Sequence, residues 1–161
     1  MAPQLPPPVQ RCPDLLFIAG EHSGDQHGAK VIADLLTRRA DLNLVAIGGP
    51  EMKAAGAQLL FDLTRHSVVG LVEVARHYDF FKGLFESAVS WISEFAPRQV
   101  CMIDYPGFNL RLAARLKREG ISTKGGGSTK VLYYIGPQIW AWNRRRRFRM
   151  AETLDGLAVI F

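Results

Sequence analysis

The stretch Leu15-Leu16-Phe17-Ile18-Ala19-Gly20-Glu21-His22-Ser23-Gly24-Asp25 decides how the rest of the chain is read. An apolar run enters a glycine turn, and a helical pattern begins near Gln26. That order places Glu21 and Ser23 at the carboxyl end of a buried strand and beside a helix amino terminus, where open α/β sheets bind ligands. A purely structural reading stands next to it. Two glycines, with Ser23 and Asp25 as caps, also make a tight strand-to-helix connection.

A chain of 161 residues fits one domain with room for a core, and 48% apolar with 22% charged residues suits a folded globular protein. Residues 1–13 hold five prolines and no apolar run of the length a signal peptide needs. They read as a flexible leader, with the domain over 14–161. No run of about 18 consecutive apolar residues occurs, so no transmembrane helix is expected. Cys12 and Cys101 have no metal-ligand spacing, and a reducing, cytoplasmic setting fits them best. The net charge of +5 is unevenly spread, because Arg144, Arg145, Arg146, Arg147 and Arg149 supply five of the 20 Lys and Arg. Such a block faces something anionic or is a solvated helix face.

Outward from the opening stretch, Val31, Ile32, Leu35 and Leu36 give an amphipathic helix, and Leu42 to Ile47 a second strand closed by Gly48-Gly49-Pro50. A short helix over Met52 to Ala55 and a third strand over Ala57 to Leu63 follow. Tyr78 to Phe95 reads as a helix stopped by Pro97, with more aromatics (Phe80, Phe81, Phe85, Trp91) than one core-facing stripe usually holds. These aromatics either pack in the core or form an exposed apolar patch suited to a membrane or a lipid chain. Gln99 to Asp104 is a buried strand ending on a carboxylate, and Tyr105-Pro106-Gly107-Phe108-Asn109 turns it into a helix. Asp104 either lines a ligand crevice or bonds the turn. Residues 123–130, with Gly125-Gly126-Gly127, read as a flexible insertion before a strand over Val131 to Ile135. Leu157 to Phe161 is a last apolar strand that simply stops, and because a domain rarely ends in mid-strand without a partner, the chain is expected to continue.

Five segments in this order resemble the lipid-A-disaccharide synthase family: Ala19-Gly20-Glu21-His22-Ser23-Gly24-Asp25; Gly48-Gly49-Pro50; Ser67-Val68-Val69-Gly70-Leu71-Val72-Glu73-Val74; Ile103-Asp104-Tyr105-Pro106-Gly107-Phe108-Asn109; and Pro137-Gln138-Ile139-Trp140-Ala141-Trp142. The resemblance covers only the amino-terminal half of that family's chain. It implies an α/β fold with a Rossmann-like doubly wound parallel sheet, the N-terminal domain of a GT-B glycosyltransferase, with the donor-binding C-terminal domain missing. The implied reaction is inverting transfer of a 2,3-diacylglucosamine from its UDP-linked donor to 2,3-diacylglucosamine 1-phosphate (lipid X) at the cytoplasmic face of the inner membrane. No cofactor, metal or nucleic acid is implied.

The resemblance also implies roles for residues. Asp104 is the first candidate for the base that takes the acceptor proton and Glu21 the second. Ser23, Gly24, Asn109, Trp140, Trp142, Arg144 and Arg147 are expected to bind substrate. Val72, Val74, Phe80, Phe81, Leu84 and Phe85 form the expected membrane or acyl patch. Two positions depart from the family pattern: Gly107 stands where many relatives have a second aspartate, and Gly136 where a serine is common.

Overall fold

The computed structural model of the chain describes residues 3–66, 78–136 and 145–159, and of Arg146 the backbone only. Within these residues, five-residue apolar segments form β1 (Leu15–Ala19), β2 (Leu44–Gly48), β3 (Gln58–Asp62), β4 (Gln99–Ile103) and β5 (Lys130–Tyr134), and Gly156–Ala158 forms a short β6. All pair in parallel in the order β3-β2-β1-β4-β5-β6. The helices are α1 (His22–Arg38), α2 (Pro50–Ala54), α3 (Tyr78–Phe95), α4 (Pro106–Arg118) and α5 (Arg146–Thr153).

Period-two alternation sorts the strand side chains between two cores. Phe17, Ala19, Ala46 and Ile103 meet Ile32 of α1 and Met52 of α2 on one face. Leu16, Ile18, Val45 and Met102 meet α3, α4 and α5 on the other. The strand order reverses between β1 and β4, where Ala19 pairs with Ile103. The turns leaving those two strands therefore lie side by side at the switch point of the sheet, where a ligand crevice belongs.

Four expectations are corrected. First, α1 begins at His22 rather than near Gln26, because the polar sequence His22 to Gly28 carries no apolar period to betray a helix. Second, neither Ser23 nor Asp25 caps α1, whose amino end has no side-chain cap. Asp25 is fully buried, and its carboxylate accepts the backbone N–H groups of Gly49 (2.9 Å), Glu51 (3.0 Å) and Met52 (3.1 Å), so it caps α2 instead. Third, the proline-rich start is tied down. The Pro6 carbonyl accepts from Trp91 Nε1 and the Pro7 carbonyl from Gln58 Nε2, while Val9 N–H donates to Gln58 Oε1. Prolines cannot donate, yet their carbonyls still bond side chains of the domain.

Fourth, residues 123–130 are no flexible insertion. A 3₁₀ turn (Thr123–Gly125) and a bridge between Ser122 and Thr129 fold the segment back on itself, with N–H groups of Gly125 and Gly127 both donating to the Ser122 carbonyl. The glycines are there for close approach. A Cβ on Gly127 would lie 2.1 Å from the Ile121 carbonyl oxygen. Gly127→Ala is accordingly expected to destabilise the fold by about 1–3 kcal/mol, read as a lower urea midpoint, whereas a flexible linker would tolerate it. Cys101 is buried as the strand pattern predicts, and burial pushes its thiol up to about 12, while Cys12 is exposed.

Candidate functional site

The turn after β4 is the most constrained backbone at the switch point. Asp104 and Tyr105 are successive non-glycine residues with φ of +47° and +49°. Each such residue costs about 1–3 kcal/mol unless its surroundings hold it. Asn109, in the first turn of α4, supplies that hold: its Nδ2 donates to the carbonyls of Asp104 (2.8 Å) and Ile103 (3.4 Å). The hydroxyl of Tyr133 on β5 donates to the same Asp104 carbonyl. Asp104 N–H donates to the Tyr134 carbonyl (3.1 Å), and Pro106 presets the first residue of α4. With its main chain pinned on both sides, half-buried Asp104 carries its carboxylate at the carboxyl end of a central strand.

Tyr105 lays its ring across Gly20, where a Cβ would come within 2.4 Å of a ring carbon. This contact joins the turn after β4 to the turn after β1 and explains the glycine. Glu21 follows directly, exposed, with extended backbone at the amino end of α1. Burial, and next the charge of Glu21, raise the Tyr105 phenol above its ordinary value of 10.0. The folded state therefore favours the protonated phenol. Its contribution to stability is complete below about pH 10 and is lost as the pH rises through the higher folded-state value. In a ¹³C titration of the Tyr105 ring, Glu21→Gln is expected to lower the midpoint. An unmoved midpoint would separate the two groups.

Three other expected site residues stand differently. Asn109 is fully buried and clamps the turn, so it positions Asp104 rather than reaching a substrate; its Oδ1 has no partner among the described residues. Gly24 is buried in the first turn of α1, where a Cβ would stand 3.1 Å from that of Ala19, so it serves close helix-to-sheet packing. Leu84 is fully buried in the core with Ala88 and Ile92, because its side of α3 faces the sheet, and it belongs to no surface patch. Ser23 is exposed beside Glu21.

The aromatic residues of α3 divide between both readings. Trp91 is core, while Phe81 and half-buried Phe85 pack against it from the rim, Phe85 edge-on to Phe108 at 5.5 Å. Phe80 leans on His66 (4.6 Å), Phe81 (5.5 Å) and Phe61 (5.9 Å), beside Tyr78, which is 61% exposed. Arg147 is exposed and stacks over the ring of Phe148 at 4.7 Å. Val72, Val74, Trp140, Trp142 and Arg144 lie outside the described residues. Tyr105 and Tyr133 were not legible as site residues: within the β5 alternation Tyr133 reads as core, Tyr105 reads as one residue of a turn, and their contacts, of Tyr133 with the Asp104 carbonyl and of Tyr105 with Gly20, are set by the fold. Among the described residues no helix is long and apolar enough to cross a membrane, and no group of three or more His, Cys, Asp or Glu is placed to hold a metal.

A doubly wound parallel sheet, with carboxylates on both turns flanking its switch point, defines a Rossmann-like α/β ligand-binding domain. The family model described as lipid-A-disaccharide synthetase matches residues 15–161, and the chain belongs to that family, whose members are GT-B glycosyltransferases. It is similar to a lipid-A-disaccharide synthase of Nitrosococcus oceani (41% identical over 148 residues, 92% of this chain and 36% of the relative). It is likewise similar to lipid-A-disaccharide synthase 1 of Legionella pneumophila (39%, 91% of this chain and 36% of the relative) and to a lipid-A-disaccharide synthase of Trichlorobacter lovleyi (40%, 94% and 38%). The chain thus spans little more than a third of the length of these curated relatives.

Proposed function

We propose that this chain is the acceptor-side, amino-terminal domain of a lipid A glycosyltransferase. The full enzyme transfers 2,3-diacylglucosamine from UDP-2,3-diacylglucosamine to 2,3-diacylglucosamine 1-phosphate, with inversion, releasing UDP. The observation that carries this reading is the clamped Asp104–Tyr105 turn beside Glu21 at the switch point, in a chain of this family. Asp104 takes the proton of the acceptor 6-hydroxyl as that oxygen attacks the anomeric carbon, and the bond to UDP breaks with its electron pair leaving on phosphate. Glu21 and Ser23 orient the acceptor from the neighbouring turn.

Trp140 and Trp142 wall the sugar, and Arg144 and Arg147 meet phosphate. Phe80, Phe81 and Phe85, with Val72 and Val74, hold the protein peripherally at the inner-membrane surface from the cytoplasmic side. Burying a few such side chains in lipid is worth about 1.5–3 kcal/mol each. The donor nucleotide is held by a further, carboxyl-terminal domain, so the 161-residue chain alone is expected to give no product from both lipid substrates. Turnover above about 1 per second by this chain, a rate ordinary for complete enzymes, would refute the half-enzyme reading.

A further inference from the structure

Outside the switch point the described surface holds an open groove of about 920 Å³ between α4 and α5, within the range of small-ligand sites. Arg111, Lys117 and Arg118 of α4, with Arg145 and Arg149 at α5, bring five cations to it against one carboxylate, Glu152. The resulting +4 nearly equals the +5 of the entire chain. None of the five makes an ion pair among the described residues, whereas Arg115, also on α4, pairs with both Glu86 and Glu119. Helix electrostatics accounts for only part of the cluster. Lys117 and Arg118 suit the carboxyl end of α4, but Arg145 and Arg149 sit at the amino end of α5, which has no acidic residue in its first turn and no side-chain cap. Cations there oppose the helix dipole unless an anion joins them.

We infer that this groove is a binding site for a phosphate-bearing ligand. Guanidinium forks on facing helices match phosphate oxygens, and Leu110 and Met150 give the groove an apolar wall for the remainder of the ligand. One end of the groove is Pro106 and Gly107, which directly follow the Asp104–Tyr105 turn. The site uses none of the arginines assigned above to the substrate phosphate, since Arg147 turns to Phe148. It holds or falls separately from the proposed reaction.

The test compares the chain with an Arg111→Gln/Arg118→Gln/Arg149→Gln variant. These three side chains are exposed, so the melting temperature is expected to stay put. Inorganic pyrophosphate, titrated while the arginine Nε–Hε signals are followed by NMR, is expected to bind the parent chain and to bind the variant at least about tenfold more weakly. An Arg38→Gln/Arg39→Gln control, altering arginines paired with Asp34 and Asp41, should bind as the parent does. In a second arm, vesicles containing phosphatidylglycerol are sedimented with each protein. A loss of roughly 100-fold in the variant, with pyrophosphate competing, identifies a lipid headgroup as the source; pyrophosphate binding without vesicle binding identifies a soluble phosphate. Equal binding by parent and variant, no pyrophosphate binding by the parent, or RNA binding that pyrophosphate does not displace would each overturn the inference. Variants of Phe80 and Phe81 change vesicle binding alone and so test the membrane reading independently.

Discussion

Asp25→Ala is expected to lower the unfolding free energy by about 3–5 kcal/mol, a large share of the roughly 5–15 kcal/mol that holds such a domain. The carboxylate is fully buried and receives three backbone N–H groups at the start of α2, two on Oδ1 and one on Oδ2. Alanine leaves all three without an acceptor, and hydrogen bonds to a charged group contribute about 1.5–3 kcal/mol each before the two helices they join, α1 and α2, relax. Asp25→Asn discriminates further. Its carbonyl can keep the bonds to Gly49 and Met52, but its amide then points a donor at the Glu51 N–H, so about half the loss is expected. Gly49 shares the contact, since a Cβ there would sit 2.4 Å from Asp25 Oδ2. Gly49→Ala and Asp25→Ala should therefore be non-additive in a double-mutant cycle. Denaturant unfolding with an unchanged slope measures all of this, and a loss below about 1 kcal/mol for Asp25→Ala would deny the cap its role.

The same residue marks where sequence reading stops. Apolar runs located the first five strands to within a residue or two, and the Tyr78–Phe95 helix agrees in both bounds, because burial on one or both faces writes itself into local periodicity. Asp25 lies 24 residues from Gly49, so nothing local reveals that it caps another helix rather than its own. Composition misled at residues 123–130, where three glycines suggested freedom although Gly125 and Gly127 answer to backbone atoms a hydrogen-bond distance away. It misled again at the start, where prolines suggested disorder but their carbonyls bond Trp91 and Gln58. Asp104 was legible because a polar residue closing an apolar strand is conspicuous. Its supports, Asn109 and Tyr133, come from α4 and β5, and only the tertiary fold assigns them to it.

Asp104→Asn, introduced into a chain extended to the length of its relatives, is expected to reduce the rate of glycosyl transfer by about 10²–10⁴-fold, the usual worth of a positioned general base. Asparagine is the informative replacement because it tolerates positive φ as readily as aspartate, so the turn at φ +47° survives while the proton acceptor is gone. The loss should fall on kcat with little change in KM, since a neutral amide of the same shape still contacts the acceptor hydroxyl. Asp104→Ala would confuse this by adding backbone strain. Tyr133→Phe provides the complementary measurement: it deletes the hydroxyl that donates to the Asp104 carbonyl without touching the carboxylate. If that bond positions the base, kcat falls by about tenfold or less with the pH profile unchanged in shape. Near-normal transfer by Asp104→Asn, together with a collapse in Glu21→Gln, would move the base to the neighbouring turn. Collapse in Asp104→Asn alone leaves Glu21 to orient the acceptor, which is the division of labour expected of an exposed carboxylate beside one whose main chain is pinned from both sides.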